Sequence, residues 1–306
     1  MNPLSNTIAH ASRIRVIAFH AFTQLVRMKV FYFLAFFALI LIGSNFFNLP
    51  QHEGPEAAGV NILHSIKSWS LGAMTLFSVV LSIVATALLL PKDVEDRTLY
   101  TILAKPVPRL DYLAGKLLGV LLLVFVSLAM MDVLMTGILH IRTNMVMESQ
   151  VAFAESRGHS AEQIALLKSD IMAQGATASL QGAVFSVFLR ATIIASMALL
   201  ISTFSTSTLF TTIISFLIYF MGHFQADARA AYFTSEAGTS DSFLARGISL
   251  LISLALPDFQ LFNVIDAVIE GQVLPLFILG KLTLIGLFYA VFYVISSWFI
   301  FAKKEF

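Results

Sequence analysis

The sequence predicts an all-α membrane protein, and three observations predict it. Hydrophobic residues make up 58% of the 306 positions and charged residues only 12%, about half the usual charged share. Six segments qualify as bilayer spans, measured against the roughly 20 mostly apolar residues that a crossing helix needs. None of the six shows the short alternating pattern of a membrane barrel strand, so each must satisfy its backbone polar groups as a helix. So few charges could not cover the surface of a soluble enzyme of this length. The same composition excludes a disordered chain, and the absence of cysteine excludes a disulfide scaffold. A formal net charge of +1 provides no basic field for nucleic acid.

The N-terminal residues come first. In residues 8–28, Ile14, Ile17, Phe22 and Leu25 recur near helical spacing beside Arg13, Arg15 and Arg27. This pattern predicts an amphipathic elbow helix within residues 1–29, lying on the inner membrane surface. The first span, 30–47, has no charge. Its apolar run is too long for a cleaved signal peptide, and no small-x-small site succeeds it. The second span, 71–90, is also uncharged and is expected to end at Pro91. The third, 117–139, contains Asp132.

Residues 140–179 then read as a long polar external loop. Within it Ser160 and Gln163 have capping-box spacing, with Ile164, Leu167 and Ile171 next on one face. A short amphipathic helix packed on the spans is expected. The fourth span, 182–204, contains Arg190 and is joined through Ser205, Thr206, Ser207 and Thr208 to the fifth, 209–224, the shortest. Residues 225–273 form an external region. Its apolar run 244–256 carries Arg246, stops at Pro257 and is too short to cross, so it reads as re-entrant or interfacial. The sixth span, 274–301, contains Lys281. Residues 1–306 read as one transmembrane domain, without internal repeats.

Six spans place both termini on one side, and basic residues select the cytoplasmic side. In that orientation the inner segments hold 11 basic and 5 acidic side chains, and the outer ones 6 basic and 12 acidic. The expected location is the cell inner (cytoplasmic) membrane, with both termini cytoplasmic.

Charge then concentrates in one place. Residues 91–116 carry nine charges in 26 positions, opening with Asp93, Glu95 and Asp96. Leu99, Ile102 and Leu103 have amphipathic spacing, and Pro106 and Pro108 break the helix. A charged helix with one apolar stripe beneath a bilayer suits a groove on a cytoplasmic partner.

These residues resemble the cytoplasmic loop of ABC-2 type transporter permeases. The likeness rests on Glu95, Arg97-Thr98-Leu99, Leu103-Ala104-Lys105-Pro106-Val107, Arg109 and Gly115-Lys116. Arg97 stands where many members have Gly, and matches the subgroup often labelled for multicopper-enzyme maturation. Leu256-Pro257-Asp258-Phe259 with Phe262-Asn263 is similar to the segment before that family's last span. Tyr289-Ala290, Tyr293 and the ending Phe301-Ala302-Lys303-Lys304-Glu305-Phe306 resemble its tail.

The resemblance implies a six-helix permease, paired with a second permease (identical or different) and two cytoplasmic ABC ATPase subunits, embedded in membrane lipid. It implies that Asp93, Glu95, Asp96, Arg97, Thr98, Leu99 and Leu103 couple the chain to the ATPase. It also makes the region before the last span a re-entrant external element. ATP and Mg would bind the partner, because Ala114-Gly115-Lys116-Leu117 lacks the spaced glycine and the hydroxyl of a phosphate loop. No catalytic or cofactor-binding residue is expected in this chain.

Three ionisable residues lie within spans, where charge is costly unless paired or hydrated. Asp132, Arg190 and Lys281 fall at similar predicted depth, and Asp132 is expected to pair with Arg190 or Lys281. The seven histidines are scattered, without metal-ligand spacing. Two other classes stay open on these residues: an ion-coupled secondary transporter using Asp132, and a membrane assembly or scaffold protein. Apolar helices select no substrate among lipid, peptide, drug and polymer.

Overall fold

The computed structural model describes residues 3–44, 58–95, 107–225 and 256–303. Among these residues all regular structure is helical: α1 (Pro3–Val26), α2 (Lys29–Gly43), α3 (Ala58–Glu95), α4 (Arg109–Ser156), α5 (Ala161–Gln174), α6 (Ala178–Phe204), α7 (Thr208–His223), a 3-10 turn (Gln260–Phe262), α8 (Ile265–Ile269) and α9 (Leu276–Lys303). Four helical stretches are long and apolar enough to cross a membrane: Asn61–Asp93, Arg109–Ser156, Ala161–Phe204 and Leu276–Lys303. The chain is a membrane-embedded all-α protein.

Its surface agrees. Leu118, Leu122, Phe125 and Val133 of α4 point outward, as do Leu284, Leu287 and Phe288 of α9. In water such continuous apolar faces would be a liability, whereas lipid solvates them. The interior combines apolar side chains with small hydroxyl residues, including Ser82, Thr86, Ser127, Ser186 and Ser297. Several of these bond back to their own helix, as Thr86 does to Ser82 O and Ser297 to Tyr293 O. Small side chains let helix backbones approach, which is how packing holds a bundle where lipid competes for apolar contact.

The end of the bundle holding Asp93, Arg109, Phe204 and Phe301 is called the lower end. The long helices pack lengthwise between it and the opposite, upper end. Helices α3 and α4 are antiparallel, joined at the lower end by Asp93 and Lys116. Helices α4 and α6 are also antiparallel, with Gln181 near Asp132 and Phe188 against Phe125. Helix α9 runs parallel to α6, with Leu279 beside Gly182 and Leu189 beside Gly286.

Several sequence expectations are corrected. Helix α3 does not end at Pro91 but continues to Glu95. Proline removes one donor from the ladder, and the turn beyond it is held by the partners of Asp93. The expected loop 140–179 is mostly helix, because α4 runs on to Ser156. Gly158, at φ +74°, makes the turn into α5. The capping box of α5 is formed: Ser160 Oγ accepts from Gln163 N, and Gln163 Oε1 accepts from Ser160 N at 2.9 Å. Its apolar face packs inward, with Ile171 fully buried. Helix α7 has only 16 residues, about 24 Å of rise.

Helix α1 forms where the periodicity placed it, but its apolar stripe faces protein. It runs parallel to the start of α4, with Ile17 beside Gly115 and Ala21 beside Gly119. A Cβ at Gly119 would lie 2.6 Å from Ala21 Cβ and 2.7 Å from Ala18 O, so only glycine admits this approach. The signal for it is a Gly-x-x-x-Gly pair, Gly115 and Gly119, which presents a flat notch on one helix face.

The expected re-entrant run 244–256 lies outside the described residues except for its last position. The adjoining stretch, 257–263, does enter the bundle. Phe259 and Phe262 are fully buried, and Ser186 Oγ donates to Phe262 O at 2.8 Å, about two turns inside the start of α6. Gly222 of α7 lies against the Phe259 ring, and Gln260 Nε2 donates to His223 O at 2.8 Å. The segment is wedged between α6 and α7.

Candidate functional site

Two polar constellations stand out, one at the lower end of the bundle and one between its middle and its upper end. The first surrounds the roots of segment 91–116. Lys116 Nζ lies 2.6 Å from Asp93 Oδ2, and Tyr112 Oη donates to the same oxygen at 2.6 Å. Both charged side chains are buried. One turn lower, Asp111 Oδ2 meets His10 Nδ1 at 2.7 Å and Arg13 Nη1 at 3.7 Å, fastening α1. Asp111 lies in the first turn of α4, where the helix dipole favours an acid. Arg109 Nη1 donates to the carbonyls of Phe301 at 2.6 Å and Ala302 at 2.8 Å, at the end of α9. The Tyr112 and Phe301 rings stack at 6.1 Å. Four helices thus converge on the two roots.

This alters the set expected to form a contact surface. Asp93 is turned inward, only 6% exposed, and serves as the counter-charge of Lys116. Asp96, Arg97, Thr98, Leu99 and Leu103 lie outside the described residues, as does the side chain of Glu95.

The second constellation is a cavity of about 540 Å³ between α3, α6, α7 and residues 263–269. Arg190 lies at its inner wall, 6% exposed. Its guanidinium engages the Tyr219 hydroxyl and feels the Asp266 carboxylate, which lines the same cavity. Asp266 Oδ2 accepts from Asn263 Nδ2 at 2.9 Å. The remaining wall is mostly apolar, including Val79, Val80, Phe216 and Ile265.

The three ionisable residues singled out in the spans are not brought together. Asp132 does not pair with Arg190 or Lys281; its Oδ1 accepts from Gln181 Nε2 at 3.2 Å and faces Thr136 Oγ1 at 3.5 Å. Lys281 is exposed and lies over the Phe277 ring at 4.5 Å. The equal depth expected for the three does not hold: Asp132 is level with Gln181, about 13 Å along α6 from Arg190, and Lys281 follows Leu279, which lies beside Gly182.

Sequence reading passed over Lys67. It is fully buried near the upper end, donating to the Gln174 side-chain oxygen and to Val268 O at 3.3 Å. Gln174 Nε2 in turn donates to Glu270 O at 3.2 Å. Lys67 ties α3, α5 and α8 together. Its place just before the second span made it read as a loop charge.

No family model matches the chain, and no curated protein matches it.

Proposed function

We propose that the chain is the permease subunit of an ABC-2 type transporter, working as an exporter and energised by a separate cytoplasmic ATPase that docks on residues 91–116. In this reading six helices cross the cell inner membrane: α2, α3, α4, α6, α7 and α9. Both termini are cytoplasmic, α1 is the elbow, and a second permease completes the path. The loop motif Arg97-Thr98-Leu99 with Leu103 to Val107 and the distribution of basic residues support it.

The observation that carries the reading is the stapled root of the loop. A motor pushing on residues 96–106 moves the membrane helices only if both roots move together. Asp93 and Lys116 bind the end of α3 to the start of α4 through a buried ion pair. Arg109 adds the end of α9, and Asp111 adds α1. A push at one point is thereby shared by four helices. Asp93 acts as a strut in this scheme, and the contact with the ATPase falls to Glu95, Asp96, Arg97, Thr98, Leu99 and Leu103.

The test is co-purification of an ABC ATPase with the full chain, compared with a Glu95→Lys, Asp96→Lys variant. Loss of the ATPase from the variant, with its helical content unchanged, is the expected result. Equal co-purification together with equal transport overturns the docking site. Transport driven by a proton gradient without any ATPase overturns the reading as a whole.

A further inference from the structure

We propose that the Arg190 cavity is a binding site for a zwitterionic amphiphile of the phosphoethanolamine type, entering from the membrane between α3 and α7. Its anionic group would lie toward Arg190 and its ammonium toward Asp266.

The position of the cavity supplies the apolar half of this description. Leu76 of α3 and Phe220 of α7 line it and are 59% and 60% exposed, so its side opening is framed by apolar residues on helices immersed in lipid. About 540 Å³ falls in the range of small-molecule sites, about 300–1,000 Å³. It can take a head group and the first methylenes, leaving the rest of each chain in the bilayer.

The two charges supply the polar half. Arg190 is the basic side chain and Asp266 the acidic one in the lining, and they form no ion pair within 4.0 Å. Arg190 lies deep, while Asp266 is exposed and sits with Asn263 on the 263–269 stretch. A simple anion would be repelled by Asp266 and a simple cation by Arg190. An uncharged amphiphile would desolvate both charges and answer neither. A head group carrying both signs offers a partner to each.

This site does not depend on the transport reading, and its test contains no ATPase. The full chain, purified in a non-ionic detergent, is titrated by native mass spectrometry with phosphatidylethanolamine, phosphatidylglycerol and diacylglycerol of identical acyl chains. The expected result is one phosphatidylethanolamine per chain, held about tenfold more tightly than either competitor. Asp266→Asn should erase the preference over phosphatidylglycerol, and Arg190→Gln the preference over diacylglycerol.

Gly72→Leu guards against variants that fail to fold. Gly72 lines the cavity, and nothing lies within 4 Å of a Cβ added there. The new side chain should therefore fill the cavity without disturbing helix packing, and abolish the preference while size-exclusion and circular dichroism stay normal. Equal binding of the three lipids, tighter binding of phosphatidylglycerol, or wild-type binding by folded Gly72→Leu each overturns the proposal.

Discussion

The lower and upper parts of the bundle treat buried charge in opposite ways. At the lower end charge meets charge: Asp93 with Lys116, and Asp111 with Arg13, which His10 joins through a hydrogen bond to Asp111. Higher up, the charged groups bond to neutral ones, with the Asp266 carboxylate acting on Arg190 only from beyond ion-pair range. Lys67 has an amide oxygen and a carbonyl, Arg190 has the Tyr219 hydroxyl, and Asp132 has Gln181 and Thr136. The difference bears on movement. Separating a buried ion pair strands two charges at once, so its geometry is locked. A bond from a charged group to a neutral partner is worth about 1.5–3 kcal/mol net and can be exchanged for water or a ligand group. The lower end is built as a staple, and the upper part as a set of separate bonds, that of Arg190 at the wall of a cavity.

The sharpest way to break this contrast is Lys116→Met. It removes the cation 2.6 Å from a buried carboxylate, and should destabilise the chain by about 3–5 kcal/mol in denaturant titrations in detergent. Adding Asp93→Asn to Lys116→Met should recover most of that loss, because no charge then remains to be compensated at the pair. A small loss from Lys116→Met alone would mean that the lower end is no tighter than the upper.

Gly119→Leu asks whether the staple also needs close packing. The new side chain meets Ala21 Cβ and Ala18 O, and overpacking of this kind costs about 1–3 kcal/mol. The effect should appear first as protease sensitivity near α1. Uniform destabilisation without selective cleavage near α1 would show that α1 does not detach separately.

Lys67→Met probes the upper part. The lost partners are neutral but the donor is charged, so the expected change is about 1.5–3 kcal/mol, less than for Lys116→Met. Thermal unfolding of the two variants side by side provides the comparison. Equal shifts would erase the distinction between the two ends.

Much of the fold is legible in the sequence, because apolar runs of this length have few alternatives in a membrane. The capping box at Ser160 and Gln163 is local chemistry, and it forms as read. What escaped the reading depends on how the helices are rotated and offset against one another. Asp132 and Lys281 lie level with the start of α6, near Gln181 and Gly182, while Arg190 lies about 13 Å further along it; they face Gln181, Phe277 and Tyr219 respectively. Lys67 sat just before a predicted span and read as a loop charge, and Asp93 read as part of the ATPase contact, whereas α3 extends far enough to bury both. The notch at Gly115 and Gly119 was present in the spacing, but its partner α1 could be identified only in three dimensions.

The smallest expected effect is also the most discriminating one for the upper part. Asp132→Asn keeps an oxygen in place to accept from Gln181 Nε2, and the side chain is only half-buried. If Asp132 matters only as an acceptor, stability should change by no more than about 0.5 kcal/mol. A larger loss would mean that its negative charge is in use, and that the upper part is wired electrostatically like the lower. Transport measured on the same variant separates the remaining alternatives. A carrier using Asp132 as its proton site stops when that carboxyl is replaced, whatever the stability. A permease driven through the stapled loop keeps working, because Asp132 lies several turns from the Asp93–Lys116 pair and shares no bond with it.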